Sequence, residues 1–424
     1  MGNRVGVTLS AVTPKLLAIS FHYPPANNPR AIQVARLLRH LELPTGLVCA
    51  DHEEKNDRRD SQLAKGAESS LEFVIRVPFV PSSSAREATR FAGRIVQPFW
   101  DLLPDQSRGW KRPVLASLAE RISDWSHTVL VTFGSPMSDH LIGLELKRRF
   151  DVPWMAHFSD PWVDNPFNRY NWFTRKANLG FEREVVENAN RLLFTSQETV
   201  ELVMAKYDPS FRAKARLIPH CYEPEQYRAE AAASDEQITV RFLGDMYGPR
   251  TPKPLFSALS RILISNPRVL DDVCFEFVGS MCDLDLNSMG LNELPSGLVK
   301  LRNTVSNKES LQLMSSADGL MVIDAPAKVS VFLPSKLIDY IGAGKPLLGI
   351  TPPGTASNLI VELGGWTGDP SKPQEIERAI EEFVEFLRKR KSENQSTWGE
   401  EAVRNRFVAR VVANRFETMV RELV

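Results

Sequence analysis

The sequence predicts an α/β protein with two doubly wound, Rossmann-like domains that face each other across a cleft. Its 424 residues exceed what a single hydrophobic core usually organises. In both halves, short apolar runs alternate with amphipathic stretches, which is typical of parallel β-α-β units. The polar stretch YEPEQYRAEAAASDEQ separates the halves and is interpreted as a structureless linker. We expect one domain over 1–222, a second over 238–395, and a C-terminal helix, 396–424, packed back on the first.

The first half begins with the strand KLLAIS, and four further short apolar runs predict strands. These runs are TVLVTFG, PWMAHFSD, RLLFTS and RLIPH. The stretch RAIQVARLLRHLE has apolar residues at helical spacing, with Asn28 as its expected N-cap and Pro29 at the first helical position. By the same rule, Ser135 and Pro136 are expected to start the helix in SPMSDHLIGLELKRRF.

The second half repeats this alternation and ends in two helices. Its predicted strands are ITVRFLGD, VCFEFVGS, LVKLRNTV, GLMVID and PLLGI. The charged stretch EIERAIEEFVEFLRKRKS predicts one helix, and EEAVRNRFVARVVANRFETMVREL predicts a single final one. Ligands of doubly wound sheets bind at the carboxyl ends of the strands. The loop FHYPPANNPR follows the first strand, so we expect it to face the cleft.

Composition excludes several classes of protein. Lys plus Arg, 52, equals Asp plus Glu, 52, whereas nucleic-acid-binding proteins usually carry a basic excess. The four cysteines form no CxxC pair, so neither a zinc site nor a redox dithiol is indicated. The N-terminal stretch lacks the apolar core of a signal peptide, and no run approaches a membrane-spanning length. A cytoplasmic protein without a nucleic-acid partner is expected.

The order of these segments resembles the retaining, GT-B-fold sugar-nucleotide glycosyltransferases of the family 4 type. The similarity covers nearly the whole chain. It is carried by FHYPPANNPRAIQVARLLRHL, VTFGSPMSDHLIGLELKRRFDVPWMAHFSDPW, RLLFTSQETVELV, RFLGDMYGPRTPKPLFSAL and FLPSKLIDYIGAGKPLLGI. The resemblance implies transfer of a sugar from a nucleotide sugar to a glycan or lipid-linked acceptor hydroxyl, in polysaccharide, glycolipid or glycoconjugate synthesis.

On the donor side, the resemblance implies a basic loop at the diphosphate of the donor. Without a metal, fixed cations must stabilise the charge on the leaving diphosphate, and no metal-ligand spacing is visible near these loops. Arg250 and Lys253 of GDMYGPRTPK take this role, with Gly244 in the same loop. Lys336 is a further candidate, because it opens a helix whose N-terminus favours anions. The alternative is that these cations are solvated surface charges.

Two further donor contacts follow from the resemblance. Asp339 occupies the position of the second glutamate of an E-x(7)-E motif, which hydrogen-bonds the nucleotide ribose. The first glutamate is replaced by Val331, which puts the usual contact to the donor sugar in doubt. Alternatively, Asp339 lies on a solvated helix face and pairs with Lys336. Asn27 and Asn28 stand where many relatives have glycines and are expected to border the phosphates, unless they form an ordinary capped turn.

On the acceptor side, the resemblance points to the segment MAHFSDPWVDN. Asp160 is expected beside the reacting centre, and His157 is expected to touch the sugar. Trp162 is interpreted as a sugar-stacking side chain and Trp154 as a core residue. The alternative for His157 is a packed, hydrogen-bonded histidine.

A basic stretch earlier in the chain concerns the acceptor as well. Arg86, Arg90 and Arg94 recur at i, i+4 and i+8, on one helical face beside aromatic residues. Such a face is typical of contact with an anionic membrane surface or a lipid-pyrophosphate acceptor, and it would place the protein peripherally at the inner face of the membrane. A solvated face explains the same pattern.

Three hypotheses for function remain. The first is a retaining, metal-independent glycosyltransferase in which the departing phosphate helps to remove the acceptor proton. The second is a sugar-nucleotide epimerase of the same fold, which needs no acceptor. The third, kept by the departure at Val331, is a non-catalytic subunit of a polysaccharide-assembly complex.

Overall fold

The protein contains two parallel α/β sheets covered by helices, which is the predicted fold class. A computed structural model describes residues 13–51, 60–64, 66–79, 103–227, 237–246, 248–281, 284–393 and 398–424. One sheet lies in the first half of the chain and the other in the second half. Hydrophobic clusters pack on both faces of each sheet.

The first sheet has seven parallel strands in the order β3-β2-β1-β4-β5-β6-β7. They are β1 Lys15–Ile19, β2 Thr45–Asp51, β3 Phe73–Pro78, β4 Thr128–Phe133, β5 Trp154–Phe158, β6 Arg191–Phe194 and β7 Ala215–Leu217. β2 and β3 were not among the predicted strands. The order of the strands reverses between β1 and β4, so the carboxyl ends of these two strands form the topological switch point where a ligand is expected.

Two helix starts in this half were predicted from local sequence signals, and the structure confirms one of them. They are α1 Pro29–Arg39, α2 Ser61–Ala64, α3 Lys111–Arg121, α4 Ser138–Phe150, α5 Trp172–Asn188 and α6 Gln197–Met204. Asn28 is confirmed as the N-cap of α1, since its Oδ1 accepts from the Ala31 amide at 2.9 Å. Ser135 does not cap α4; the Asp105 carboxylate instead accepts from the Ser138 amide at 2.9 Å. A distant carboxylate that satisfies a helix start leaves no local signal.

The second sheet has six parallel strands in the order β10-β9-β8-β11-β12-β13. They are β8 Ile238–Leu243, β9 Val273–Val278, β10 Val299–Arg302, β11 Gly319–Ile323, β12 Leu347–Ile350 and β13 Trp366–Gly368. The helices are α7 Lys253–Ser265, α8 Asn307–Ser316, α9 Ser335–Ala343, α10 Thr355–Glu362 and α11 Pro373–Glu393. The switch point of this sheet lies between β8 and β11.

The C-terminal segment forms two helices, α12 Glu401–Asn405 and α13 Ala409–Arg421, so the expectation of a single final helix is wrong. The helix is interrupted between α12 and α13, where the backbone pairs with the segment that follows β7. The Tyr222 amide donates to the Phe407 carbonyl at 2.9 Å, and the Ala409 amide donates to the Tyr222 carbonyl at 2.8 Å. Beyond this crossing, α13 buries Val412 and Phe416 in a cluster shared with the first sheet.

The first part of the predicted linker is also structured, contrary to expectation. Residues Pro224–Tyr227 form a 3₁₀ turn. The Glu223 carboxylate accepts from the Arg39 guanidinium at 2.7 Å, and it pairs with His40 Nε2 at 3.0 Å. Residues 228–236 lie outside the described residues. The segment 222–227 is therefore anchored to α1 by charge.

Three of the cysteines and Trp154 lie in the interior of the protein. Cys49, Cys221 and Cys274 are buried free thiols, and Cys282 lies outside the described residues. Trp154 is fully buried, which confirms its prediction as a core residue. Within the described ranges, no helix combines the length and apolar character that a membrane crossing requires.

Candidate functional site

The two halves of the chain are joined by a buried ion pair. Arg36 lies on α1 in the first half, and Asp339 lies on α9 in the second. Their Nη1 and Oδ1 atoms are 2.6 Å apart, and both side chains are more than nine-tenths buried. Tyr227 completes this contact, because its hydroxyl donates to the same carboxylate oxygen at 2.8 Å. Since α1 follows β1 and α9 follows β11, this pair joins two helices that each follow a switch-point strand. We call the loops and helix starts at the carboxyl ends of the first sheet the first wall, and those of the second sheet the second wall.

A second set of contacts joins the walls at the N-termini of α6 and α10. The Val331 carbonyl accepts from the Ser196 hydroxyl at 2.8 Å and from the Thr199 hydroxyl at 2.9 Å. The Glu198 carboxylate accepts from the Thr355 hydroxyl at 2.8 Å and from the Asn358 amide at 3.2 Å. Hydroxyls and a carboxylate at the start of α6 thus hold the loop that precedes α9.

The loop after β1 forms part of the first wall. Asn27 and Asn28 are half-buried, and the Asn28 side-chain amide donates to His22 Nδ1 at 3.1 Å. Since Asn28 Oδ1 also caps α1, both the amide nitrogen and the oxygen of this side chain are hydrogen-bonded within the loop. The capped-turn alternative describes this geometry, and the predicted proximity to phosphates stays a prediction.

His157 is buried at the end of β5, with both ring nitrogens close to a partner. Its Nε2 donates to the Ile218 carbonyl at 3.3 Å, and its Nδ1 accepts from Arg30 Nη2 at 3.2 Å. Burial, with the nearby Arg30 charge, holds the pKa of His157 well below its usual value, so the ring is neutral. This is the packed, hydrogen-bonded alternative. The expected contact to a sugar would require one of these bonds to exchange.

Asp160 follows His157 by three residues on the same wall and is half-buried. The Ser159 hydroxyl donates to Asp160 Oδ2 at 3.2 Å. Burial raises the pKa of Asp160, and the Arg30 charge partly opposes that rise. The following loop is held by Glu182 on α5, whose Oε2 accepts from the Val163 amide at 2.8 Å. Asp160 is therefore a carboxyl on a braced loop, with a pKa above its ordinary value.

Trp162 does not offer a ring face to a sugar. Its side chain is 1% exposed and belongs to the core cluster of the first sheet. Its Nε1 donates to Asn178 Oδ1 at 2.8 Å, which satisfies the polar end of the ring in the interior. This burial contradicts the expectation that Trp162 stacks on the acceptor. The exposed aromatic residues of this region are Trp172, at 77% exposure, and Phe167, at 38%.

In the second wall, Arg250 points to the end of β11. Its Nη2 lies 3.4 Å from Asp324 Oδ1. Asp324 is buried and also accepts from the Ala325 amide at 2.8 Å and from the Ser330 hydroxyl at 2.5 Å. Gly244 follows β8 directly, with φ at 149°, a conformation that favours glycine. The predicted loop thus meets the switch point of the second sheet.

The two predicted lysines lie at the N-termini of different helices. Lys253 is the exposed first residue of α7. Lys336, in the first turn of α9, is half-buried, and its Nζ lies 3.6 Å from Asp339 Oδ2. Arg94, with Arg86 and Arg90, lies outside the described residues. Within the described residues, no group of three or more His, Cys, Asp or Glu side chains is arranged to hold a metal ion.

Asp339 is buried rather than solvated, so the solvated-face alternative is wrong, although the pairing with Lys336 exists. Burial acts to raise the pKa of Asp339, but the charges of Arg36 and Lys336, with the hydrogen bonds from Arg36 and Tyr227, together outweigh it, and the pKa is lowered. One carboxylate oxygen is occupied by Arg36 and Tyr227. The predicted ribose contact stays a prediction, and any ribose would have to share this carboxylate with its internal partners.

Arg30 is a site residue that the sequence analysis did not select. It lies in the first turn of α1, 8% exposed, with its guanidinium 5.3 Å from the centre of the Phe133 ring. Within the described part of the chain it forms no ion pair with a carboxylate. Burial lowers the pKa of Arg30 to about 10, so the side chain stays charged at neutral pH. The sequence feature that could have identified Arg30 is its spacing from Gln33 and Arg36, which places three buried polar residues on one face of α1.

Comparison with solved structures places this fold among known proteins. HepE from Anabaena, in complex with UDP-glucose, is 13% identical, with a TM-score of 0.65 over 96% of this chain and 100% of its own. The E. coli trehalose-6-phosphate protein bound with UDP-2-fluoro glucose is 12% identical, with a TM-score of 0.65 over 97% and 99%. The N-terminal domain of Candida albicans trehalose-6-phosphate phosphatase is 11% identical, with a TM-score of 0.66 over 97% of each chain.

These likenesses show the fold. The chain has the two-domain, Rossmann-like GT-B fold, and the similarity extends over almost its whole length. Its sequence matches no protein-family model and no curated protein.

Proposed function

We propose that the protein is a retaining, metal-independent glycosyltransferase that moves a sugar from a nucleotide sugar to an acceptor hydroxyl. The observation that carries this proposal is the buried Arg36–Asp339 pair, which joins helices that each follow a switch-point strand of the two doubly wound sheets. Proteins of this fold have been solved with UDP-glucose and UDP-2-fluoro glucose, which supports a nucleotide sugar as donor. Polysaccharide, glycolipid or glycoconjugate synthesis in the cytoplasm is the setting that we infer.

The second wall supplies the groups that such a reaction needs at the leaving diphosphate. As the glycosidic bond breaks, negative charge grows on the phosphate oxygens, and preorganised cations stabilise it. Arg250 lies 3.4 Å from Asp324, and its planar guanidinium has the donor geometry that matches phosphate oxygens. Lys253 and Lys336 stand at the N-termini of α7 and α9, where backbone N–H groups also attract anions.

The first wall supplies the environment of the acceptor. Asp160, on its braced loop, is the carboxyl that we place beside the reacting centre, and His157 is a positioning residue held by Arg30. In a retaining transfer, the acceptor hydroxyl loses its proton to the departing phosphate while its oxygen bonds to the sugar. No separate side-chain base is needed for that step. Asp160 then stabilises positive charge at the sugar when it is ionised.

A non-catalytic role is the second candidate, and Val331 is the observation that favours it. The position that carries a glutamate in the resembled family has an apolar side chain here. Its carbonyl is already occupied by hydroxyls of Ser196 and Thr199 from the opposite wall. A binding subunit could keep the fold and the nucleotide site without this contact to the donor sugar.

A mass-spectrometric screen of nucleotide sugars tests the proposal directly. The full chain is incubated with each nucleotide sugar and a panel of glycan and lipid-linked acceptors, with and without excess chelator. A transferred sugar that survives chelation supports the proposal. An isomerised nucleotide sugar without acceptor supports an epimerase, and binding without turnover supports the non-catalytic role.

Arg250→Ala then locates the activity. Loss of one preorganised charge stabiliser typically lowers turnover by roughly a hundredfold or more. Lys389→Ala, an exposed lysine on α11, is the matched control and should retain the wild-type rate. Equal rates for the two variants would remove Arg250 from the diphosphate site. Complete loss with chelator, restored by magnesium, would contradict the metal-independent mechanism.

A further inference from the structure

We infer that Arg30 is an oxyanion-binding site on the first wall of the cleft and that it binds a phosphoryl group of a substrate. Within the described part of the chain, this wall has no predicted anion-binding cation, since the predicted contacts Asn27 and Asn28 are uncharged. The inference rests on the proposed function only for the choice of substrate. Binding itself follows from the charge and geometry around Arg30.

The first argument is charge. A buried guanidinium is costly unless a carboxylate neutralises it. Arg30 is more than nine-tenths buried, yet no carboxylate of the described residues pairs with it. Asp160 and Asp139 act on it only at longer range, through their fields. The fold therefore keeps a positive charge at the end of β1 and β5 with no counter-ion of its own.

The second argument is the set of unused hydrogen-bond donors. Nη2 contacts Nδ1 and the carbonyl of His157, at 3.2 and 3.3 Å. Nε is buried without a partner, and Nη1 has no hydrogen bond within the described part of the chain. A buried donor left without an acceptor costs free energy, which a bound oxyanion would recover. Planar guanidinium donors match the geometry of phosphate oxygens.

The third argument is the surroundings of this side chain. Arg30 lies in the first turn of α1, a helix of 11 residues, where the helix dipole favours negative charge. The neighbouring His157 accepts from Arg30, so it holds the guanidinium in place while adding no competing negative charge. Next to this, His220 follows β7, and burial with the Arg30 charge lowers its pKa to about 3, so its ring is neutral. The Arg30 guanidinium and the neutral imidazoles of His157 and His220 thus form a pre-organised group.

The phosphoryl group has two sources under the proposed function. It belongs either to the diphosphate of the donor, clamped between Arg30 and the cations of the second wall, or to a phosphorylated acceptor held on the first wall. Both present the same chemistry to Arg30. A binding experiment can separate them.

Isothermal calorimetry with the full chain tests the site, with inorganic phosphate and uridine diphosphate as probes. Arg30→Met removes the charge and preserves much of the side-chain volume. It should weaken phosphate binding by about tenfold or more, the loss expected when a charge-assisted contact is removed. Arg39→Met is the matched control, because Arg39 lies on the same helix but already pairs with Glu223 at 2.7 Å. Arg30→Gln, which can still donate to His157, replaces Arg30→Met if that variant does not fold.

Each result has one meaning. If Arg30→Met weakens binding of both probes and phosphate no longer binds once uridine diphosphate saturates the protein, the site belongs to the donor. If only phosphate binding weakens, and phosphate still binds beside uridine diphosphate, the site belongs to an acceptor. Unchanged affinity for both probes, or wild-type protein that binds neither, overturns the inference. Because turnover is not measured here, an inactive protein that binds phosphate through Arg30 would refute only the proposed function.

Discussion

Two arginines on α1, Arg36 and Arg30, are both buried but differ in how their charge is neutralised. Arg36 pairs with Asp339 of the opposite wall at 2.6 Å, whereas Arg30 has no carboxylate partner within the described residues. Burial acts against both charges. The Asp339 carboxylate outweighs it at Arg36 and raises the pKa, while the pKa of Arg30 falls to about 10.

The two side chains differ in hydrogen bonding as well as in charge, since Arg30 bonds only to His157 within the described residues. Nε lacks a partner in both side chains. The remaining nitrogens of Arg36 also reach the Cys221 carbonyl at 3.3 Å and Gln226 at 3.2 Å. Arg36 is thus part of the internal structure that ties the two domains together. Arg30, six residues earlier on the helix, is the side chain that we propose binds a phosphoryl group.

The largest expected effect concerns stability. Arg36→Met leaves Asp339 buried without its main counter-ion, which typically costs about 3–5 kcal/mol of folding free energy. Arg30→Met should cost far less or be neutral, because it strands no carboxylate. Urea denaturation of both variants measures the contrast. The double variant Arg36→Met, Asp339→Leu should recover much of the loss, and an equal loss in Arg30→Met would remove the distinction.

The next effect concerns what Asp339 does besides pairing with Arg36. If it also reads the ribose, Asp339→Asn should weaken uridine diphosphate binding by about tenfold, which corresponds to about 1.4 kcal/mol. Calorimetry with uridine diphosphate and its 2′,3′-dideoxy analogue separates this from a structural effect. The ribose contact requires the wild type to favour the hydroxylated form and the variant to discriminate much less. Equal discrimination by both proteins would leave Asp339 only its structural role.

The smallest effect is the response to acid. Burial and the Arg30 charge lower the pKa values of His140 and His220 to about 3, from 6.5. Between these values the unfolded chain binds more protons, so stability falls as the pH drops from 6.5 toward 3. Removing Arg30 raises these pKa values, and it lets Asp139 and Asp160 hold protons more readily, which acts in the same direction.

Arg30→Met should therefore lose less stability than the wild type between pH 5 and pH 3, the range that approaches the folded-state pKa values of the two histidines. The difference is at most about 1.4 kcal/mol for each pKa unit that a histidine regains. Urea midpoints at the two pH values measure it. Arg39→Met is the control, since its cation does not act on His140. An acid loss in Arg30→Met as large as that of the wild type would contradict the role given to the Arg30 charge.

The alternation of apolar runs was sufficient to predict the fold class, because the periodicity of strands and helices is expressed within a few residues. The cap of α1 at Asn28 followed from the same kind of local signal. Three strands were missed. β2 and β3 of the first sheet have short apolar runs between segments of mixed polarity, and β13 of the second sheet has only three residues. The predicted loops at Asn28, Asp160 and Arg250 do lie at carboxyl ends of strands, as the position of each after an apolar run indicated.

What the sequence by itself determined is thus the order of strands and helices and the loops that follow them. Only the tertiary structure decided which polar side chains are partnered. The partner of Arg36 lies 303 positions away along the chain, and α4 is capped by a carboxylate 33 positions before it. Trp162, predicted to face a sugar, is 1% exposed because α5 covers it. A charge is neutralised, and a ring is covered, by groups that are close in space, and spacing along the sequence carries no information about those distances.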